Sequence, residues 1–305
     1  MTLPRSIIPH DARRRTIRGR LARVRSRPYG TLGPVHARSA LFDLYGDHLL
    51  ARGGSAPVAA LIRLLEPLGI RAPAVRTAIS RMVAQGWLEP VEIGDGPAVP
   101  GYAVTDRARL RLDQAGARIY RTGTTAWDGR WHLRVLTPIA DRSRRERVRS
   151  QLRFLGLAPV SDSTWISPHP SVEVDRLLAE EGLVAVSLST ADIGPTEVLL
   201  DAFDVAGLAD AYDAWLVEAA RLVGGSRPAS RPADDVAAFV VRSRLLHSWR
   251  KFLFSDPGLP ATLLPRDWPG RRAAAFFDEH AARLLPAANR FIDQCLTPTV
   301  AGARP

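Results

Sequence analysis

From Ala37 the apolar residues recur at helical spacing in three successive runs. Leu41, Phe42, Tyr45 and Leu49 mark a helix over Ala37 to Leu50, and Gly53-Gly54 break it. Val58, Leu61, Ile62 and Leu65 mark a second helix over Pro57 to Glu66, with Pro67 as its stop and Gly69 as the turn. The third run is the most regular. Pro73 suits a first helical turn, where the amide it lacks would be unpaired anyway. Val75, Ala78, Ile79, Met82 and Val83 then form one apolar stripe, and Gly86 stands where a left-handed cap ends a helix. The opposite face carries Arg76, Thr77, Ser80 and Arg81. Trp87 to Ile93 and Ala98 to Val104 read as two short strands around Gly94-Asp95-Gly96-Pro97, and Thr105 can cap a fourth helix, Asp106 to Tyr120. An ordinary amphipathic surface helix would show the same stripe. The two helices before it, the tight turn and the hairpin after it decide for a winged helix-turn-helix over residues 37–122.

The pattern then changes. His132 to Leu136 alternates as a strand, and Arg142 to Leu155 is helical, with Val148, Leu152 and Leu155 inward. Ala158 to Val160 and Thr164 to Ser167 read as strands around a Ser-Asp-Ser turn. Val172 to Glu181 is helical, and Leu183 to Leu188 is a strand. This βαββαβ order predicts a ferredoxin-like middle domain over 123–200. Residues 201–305 read as helical. Phe203 to Val223 buries Leu208, Tyr212, Trp215 and Leu216, and Gly224 to Pro232 is a linker. Asp235 to Phe254 is a second helix. Arg271 to Leu296 is a third, bent or interrupted at Pro286, and the Pro-rich stretch between them is an ordered loop that buries Trp268. The predicted class is α+β in three domains.

Composition narrows the classes. With 305 residues, 46% hydrophobic and 24% charged, the chain has room for several domains and a real core. No apolar run approaches the roughly 20 residues that span a bilayer. Cys295 is the single cysteine and sits in an apolar helical pattern, which points to packing in a reducing, cytoplasmic setting. The net charge of +11 is uneven: the first 36 residues hold nine arginines against one acid, Asp11. That segment reads as a disordered basic arm, either touching DNA phosphates or arising from a start assigned too early. A transit peptide is disfavoured by its low serine content.

The residues also carry a family resemblance. The run Ser39 to Asp47, then Leu61 to Leu65, Ala74 to Met82 and Gly86-Trp87-Leu88, resembles the PaaX family of bacterial transcriptional repressors of phenylacetate catabolism. Trp127-Asp128-Gly129-Arg130-Trp131, Leu155-Gly156-Leu157 and Trp165-Ile166-Ser167-Pro168 are similar to that family's middle domain. Asp256 to Pro260, Leu264-Pro265 and Asp267 to Gly270 are similar to its C-terminal signature. The resemblance implies a non-enzymatic repressor that binds double-stranded operator DNA as a homodimer. It also implies release by an acyl-CoA such as phenylacetyl-CoA. The sequence itself carries no Cys-His or His-His metal spacing, no Gly-x-Ser-x-Gly and no Walker or dinucleotide glycine loop, so no cofactor and no metal are expected. One departure stands out: wings of this family often hold basic residues, whereas this one has Asp95 and no positive charge.

The candidate DNA contacts are therefore Arg71, Arg76, Thr77, Ser80, Arg81 and Arg107. Arginine offers a fork to guanine or phosphate, and hydroxyls serve base or backbone. Arg107, with Arg109 and Arg111, also reads as a solvated helix face. The candidate effector contacts are His247, Trp249, Arg250, Lys251 and Trp268, an aromatic group with cations that suits an aromatic acyl-CoA. The competing reading is that these residues lock the Pro-rich loop onto the helices. Arg142, Arg144, Arg145, Arg147, Arg149 and Arg153 form either a phosphate groove or a solvated face with acidic neighbours. Two other functions compete. A metal-dependent nuclease would want an acid at the end of the first middle-domain strand, but the first acid, Asp141, lies past it. An interaction module without DNA recognition conflicts with the basic front of the third helix.

Overall fold

A computed structural model of the chain describes residues 35–94, 98–119, 127–191, 194, 196–225 and 232–297. The basic arm, apart from Val35 and His36, and the hairpin tip at 95–97 lie outside the described residues.

The N-terminal part opens with α1 (Ala37–Leu44), which passes into a π-helical turn, Tyr45–Leu49, and a 3-10 turn, Leu50–Arg52. The α-helix expected to reach Leu50 thus widens at Tyr45. Gly53, at φ 90°, ends it with the left-handed conformation a glycine adopts freely. A short strand that periodicity did not reveal, β1 (Ser55–Pro57), follows, then α2 (Val58–Leu65). Pro67 opens a 3-10 turn, Glu66–Leu68, instead of simply stopping the helix. The third helix, α3 (Ala72–Ala84), is followed by β2 (Leu88–Ile93), β3 (Val99–Val104) and α4 (Asp106–Ile119). Gly86 has φ 67°, and the Gly86 and Trp87 amides donate to Val83 and Met82, the double bond of a left-handed helix cap. The three strands form an antiparallel sheet in the order β1-β3-β2.

The middle part has β4 (Trp131–Leu136), α5 (Arg142–Phe154), β5 (Ala158–Pro159), β6 (Thr164–Ser167), α6 (Val172–Glu180) and β7 (Ala185–Thr190), in the expected βαββαβ order. The sheet runs β5-β6-β4-β7 with every pair antiparallel. Leu136 and Trp165 on one face pack with Val148 and Leu152 of α5 and Val174, Leu177 and Leu178 of α6. Trp131 and Ile166 pack with Leu199, Phe203 and Leu259. The last strand starts two residues later than expected, at Ala185.

The C-terminal part differs more from the sequence reading. An unexpected helix, α7 (Thr196–Ala202), precedes α8 (Val205–Gly224). Between them Asp204 takes a left-handed φ of 49° and its carboxylate accepts the Gly207 amide, so the expected start at Phe203 moves to Val205. The expected helix from Asp235 to Phe254 divides at Arg250 into α9 (Pro232–Trp249) and α10 (Lys251–Ser255). The last helix, α11 (Pro269–Leu296), runs through Pro286 without interruption. Pro286 and Ala282, whose carbonyl loses its donor, are both exposed, and the helix is held along its length by α9 and α8. Trp268 is buried, as expected, with Tyr212, Trp215, Trp249, Phe252 and Phe277. Among the described residues no helix is long and apolar enough to cross a membrane.

One core cluster crosses the parts. Leu41, Leu61, Val75 and Ile79 share it with Phe239 of α9 and with Ala288, Ile292 and Cys295 of α11. The N-terminal helices are therefore seated on the C-terminal pair by a continuous apolar core.

Candidate nucleic-acid interface

The back of α3 is buried through Val75, Ala78, Ile79 and Met82, which fixes the opposite face outward. Arg76, Thr77, Ser80 and Arg81 are all exposed there, and they neighbour one another at i, i+4. Thr77 Oγ1 donates to the Pro73 carbonyl at 2.9 Å and Ser80 Oγ to the Arg76 carbonyl at 3.1 Å. Each hydroxyl thus spends its proton on the helix and presents lone pairs outward. No acid lies on α3, so the two guanidiniums have no partner within their own helix.

The remaining two candidates bracket this face. Arg71 is exposed at the N-cap of α3. Arg107 lies past the other end, its guanidinium 5.8 Å from the Trp87 ring. Trp87 meets Phe42 edge-on at 5.0 Å, and Arg38 lies 5.6 Å over Phe42. Sequence reasoning missed Arg38, although its i, i+4 spacing to Phe42 was a usable signal. Two clamps hold the frame. Thr105 Oγ1 donates to the Gly86 carbonyl at 2.8 Å and accepts the Ala108 amide at 3.2 Å, which joins the end of α3 to the start of α4. Tyr45 donates to the Tyr102 carbonyl at 2.8 Å, and its burial pushes that phenol well above its ordinary range.

The expected effector residues separate into two groups. His247 Nδ1 lies 2.8 Å from Asp43 Oδ2, and the Arg250 guanidinium binds the other oxygen of the same carboxylate. Trp249 and Trp268 are instead buried in the aromatic cluster, each with its ring centre 5.9 Å from Tyr212. Lys251 sits 5.0 Å over Phe252, and partial burial lowers its ammonium pKa against the pull of Glu218. In the middle part, Arg144 and Arg147 bind Glu181, Arg149 binds Asp162, and Arg153 lies 5.6 Å over Trp165. These arginines have internal partners, as a face with acidic neighbours would. Asp141, the first acid after β4 in the chain, accepts the Arg144 amide as the cap of α5.

Family models match the chain in three consecutive pieces. "PaaX-like protein" covers residues 36–108, "PaaX protein central Cas2-like domain" covers 124–198, and "PaaX-like protein C-terminal domain" covers 203–294. The chain belongs to the PaaX family. It is 29% identical over 272 residues to the transcriptional repressor PaaX of Escherichia coli strain K12, covering 86% of this chain and 84% of that protein. Among solved structures it is similar to the uncharacterised protein Rv0674 of Mycobacterium tuberculosis, with a TM-score of 0.57, 25% identity, and coverage of 87% of this chain and 99% of that one. The exposed front of α3 falls within the first family segment. Asp43 does too, while its partners His247 and Arg250 fall within the third.

Proposed function

We propose that this PaaX-family protein is a transcriptional repressor that reads operator DNA with α3. The observation that carries the reading is the helix itself: a fully buried apolar back, an exposed front of Arg76, Thr77, Ser80 and Arg81, and a hairpin directly after it. This is the layout a winged helix-turn-helix needs to place a helix in the major groove. The similarity to a named repressor over most of both chains supports the same role. Arg76 and Arg81 supply the forks for guanine or phosphate, Thr77 and Ser80 accept from base amines, and Arg71 and Arg107 anchor the flanking backbone. A homodimer would set the spacing of two half-sites. The family resemblance extends the proposal to an acyl-CoA effector such as phenylacetyl-CoA, which would bind the C-terminal aromatic cluster and disfavour the DNA-bound arrangement.

The test is fluorescence anisotropy with labelled DNA from upstream of the protein's own gene, against scrambled DNA of equal length. Arg76→Ala with Arg81→Ala should weaken specific binding by about 1–3 kcal/mol per side chain and flatten the salt dependence, while circular dichroism stays unchanged. Equal binding by parent and double variant would remove α3 as the reader.

A further inference from the structure

Two carboxylates near the start of the chain receive cations from α9, at a place that neither the α3 front nor the aromatic cluster uses. Asp43, only 7% exposed, is bound by His247 and Arg250 at the end of α9. Asp47, four residues on, is bound by Arg242, with Nη1 to Oδ2 at 2.8 Å and Nη2 to Oδ1 at 2.9 Å. The pairing runs antiparallel, so the two elements are pinned at points roughly 12 Å apart along α9 by helical rise. The apolar packing of Phe239, Ala288 and Ile292 holds the N-terminal helices on the C-terminal pair, but such packing is non-directional. The ion pairs add directional contacts between the same elements. Those contacts reach α3 through α1, which packs directly against it.

One pin is chained to the aromatic cluster. Trp249, adjacent to Arg250, stacks on Phe277 at 4.9 Å and 10° and lies 4.8 Å from Trp215. Arg250 joins α9 to α10 and its amide still donates to the Leu246 carbonyl at 2.9 Å, so a shift of the Trp249 ring reaches Arg250 through the last turn of α9. The other pin stands on the π-helical turn Tyr45–Leu49, a rare wide turn that concentrates at functional positions.

We propose that Asp43, held by His247 and Arg250, is a positioning residue that couples the packing of the aromatic cluster to the orientation of α3. The coupling to DNA rests on the reading of α3 given above; the coupling to orientation does not. Anything that repacks Trp249 changes how Arg250 meets Asp43 and so changes the angle at which α3 is presented.

Cys295 is the only cysteine and is buried, so cysteines placed at exposed Glu89 on β2 and at Val217 on α8, which is 52% exposed, accept spin labels selectively. Pulsed dipolar spectroscopy on the full chain should give one narrow distance distribution. Asp43→Asn and Arg250→Gln should each broaden or shift it, the double variant should add nothing further, and Arg250→Lys should restore it. DNA affinity measured on the same samples should fall about 5- to 150-fold. Should Asp43→Asn fail to fold, Arg250→Gln, at a side chain 21% exposed, carries the test alone. A narrow, unchanged distribution in the folded variants overturns the positioning role. A changed distribution with unchanged DNA affinity overturns the coupling to DNA. A parent protein that binds no DNA overturns the reading of α3 while the distances still decide the orientation.

Discussion

Arg242 and Asp47 meet inside the protein as a two-point ion pair, with side chains 5% and 4% exposed, although 195 residues separate them in the chain. His48 Nε2 lies 2.9 Å from the same carboxylate, so one acid serves an arginine and a histidine in a site closed to water. Removing Arg242 leaves the Asp47 carboxylate out of water with only the His48 ring beside it. Arg242→Met is expected to destabilise the fold by about 3–5 kcal/mol, whereas Arg242→Met with Asp47→Leu should lie much closer to the parent. Urea denaturation of the two single variants and the double variant measures the difference, and equal losses in all three would show that the pair is not a unit.

The two faces of α3 should respond oppositely to truncation. Ile79 is 1% exposed and sits in the core cluster shared with α9 and α11. Ile79→Ala is expected to cost about 2–5 kcal/mol, with a corresponding loss in denaturation midpoint. Arg81 is exposed, and Arg81→Ala should change stability by less than about 0.5 kcal/mol while weakening DNA binding. A large stability loss in Arg81→Ala would mean that its side chain supports the fold and does not serve recognition.

This contrast also explains what could be read in advance. The α3 stripe, the Gly86 cap and the βαββαβ order are local signals, written within one or two turns of chain, and the structure reproduces them. β1 was invisible because three residues make no periodicity; it exists only through pairing with β3, Ser55 against Ala103 and Pro57 against Gly101. The partner of Arg250 was invisible for a similar reason, since it is Asp43, 207 residues earlier. The pairing of His247 and Arg250, candidate effector contacts, with Asp43 is not legible either, because an exposed cation and one bound to a distant carboxylate look alike in sequence. Asp43 was overlooked because an acid beside Leu41, Phe42 and Leu44 reads as the polar edge of an amphipathic helix, not as a buried anchor.

Glu181 predicts how the middle domain responds to acid. Its carboxylate accepts hydrogen bonds from Arg147, which first of all hold its pKa below the ordinary range, and Arg144 adds to that pull. A folded pKa below the unfolded one gives stability that is fully present above the unfolded pKa and lost as pH falls through the folded value. Parent and Glu181→Gln should therefore differ most near neutral pH and converge below the carboxylate range, when melting temperatures are compared across pH. A difference that persists unchanged into strong acid would place the effect in packing, not in charge.

Gly270 packs directly against the aromatic cluster. A side chain added there would put Cβ 2.4 Å from the Trp268 indole nitrogen and 3.0 Å from the Tyr212 ring. Neither ring can yield freely: Trp268 is 6% exposed, and Tyr212 is stacked on Phe252 at 4.0 Å and 16°. Gly270→Ala is expected to destabilise by about 1–3 kcal/mol through overpacking. Because the displaced ring is an indole, the tryptophan emission should shift to the red in the folded variant as Trp268 loses its cover. If an acyl-CoA enters this cluster, the same substitution should also alter the calorimetric titration with phenylacetyl-CoA, while Arg76→Ala should not. An unchanged emission spectrum with parental stability would show that the cluster accommodates the methyl group, and that its packing is looser than the ring distances imply.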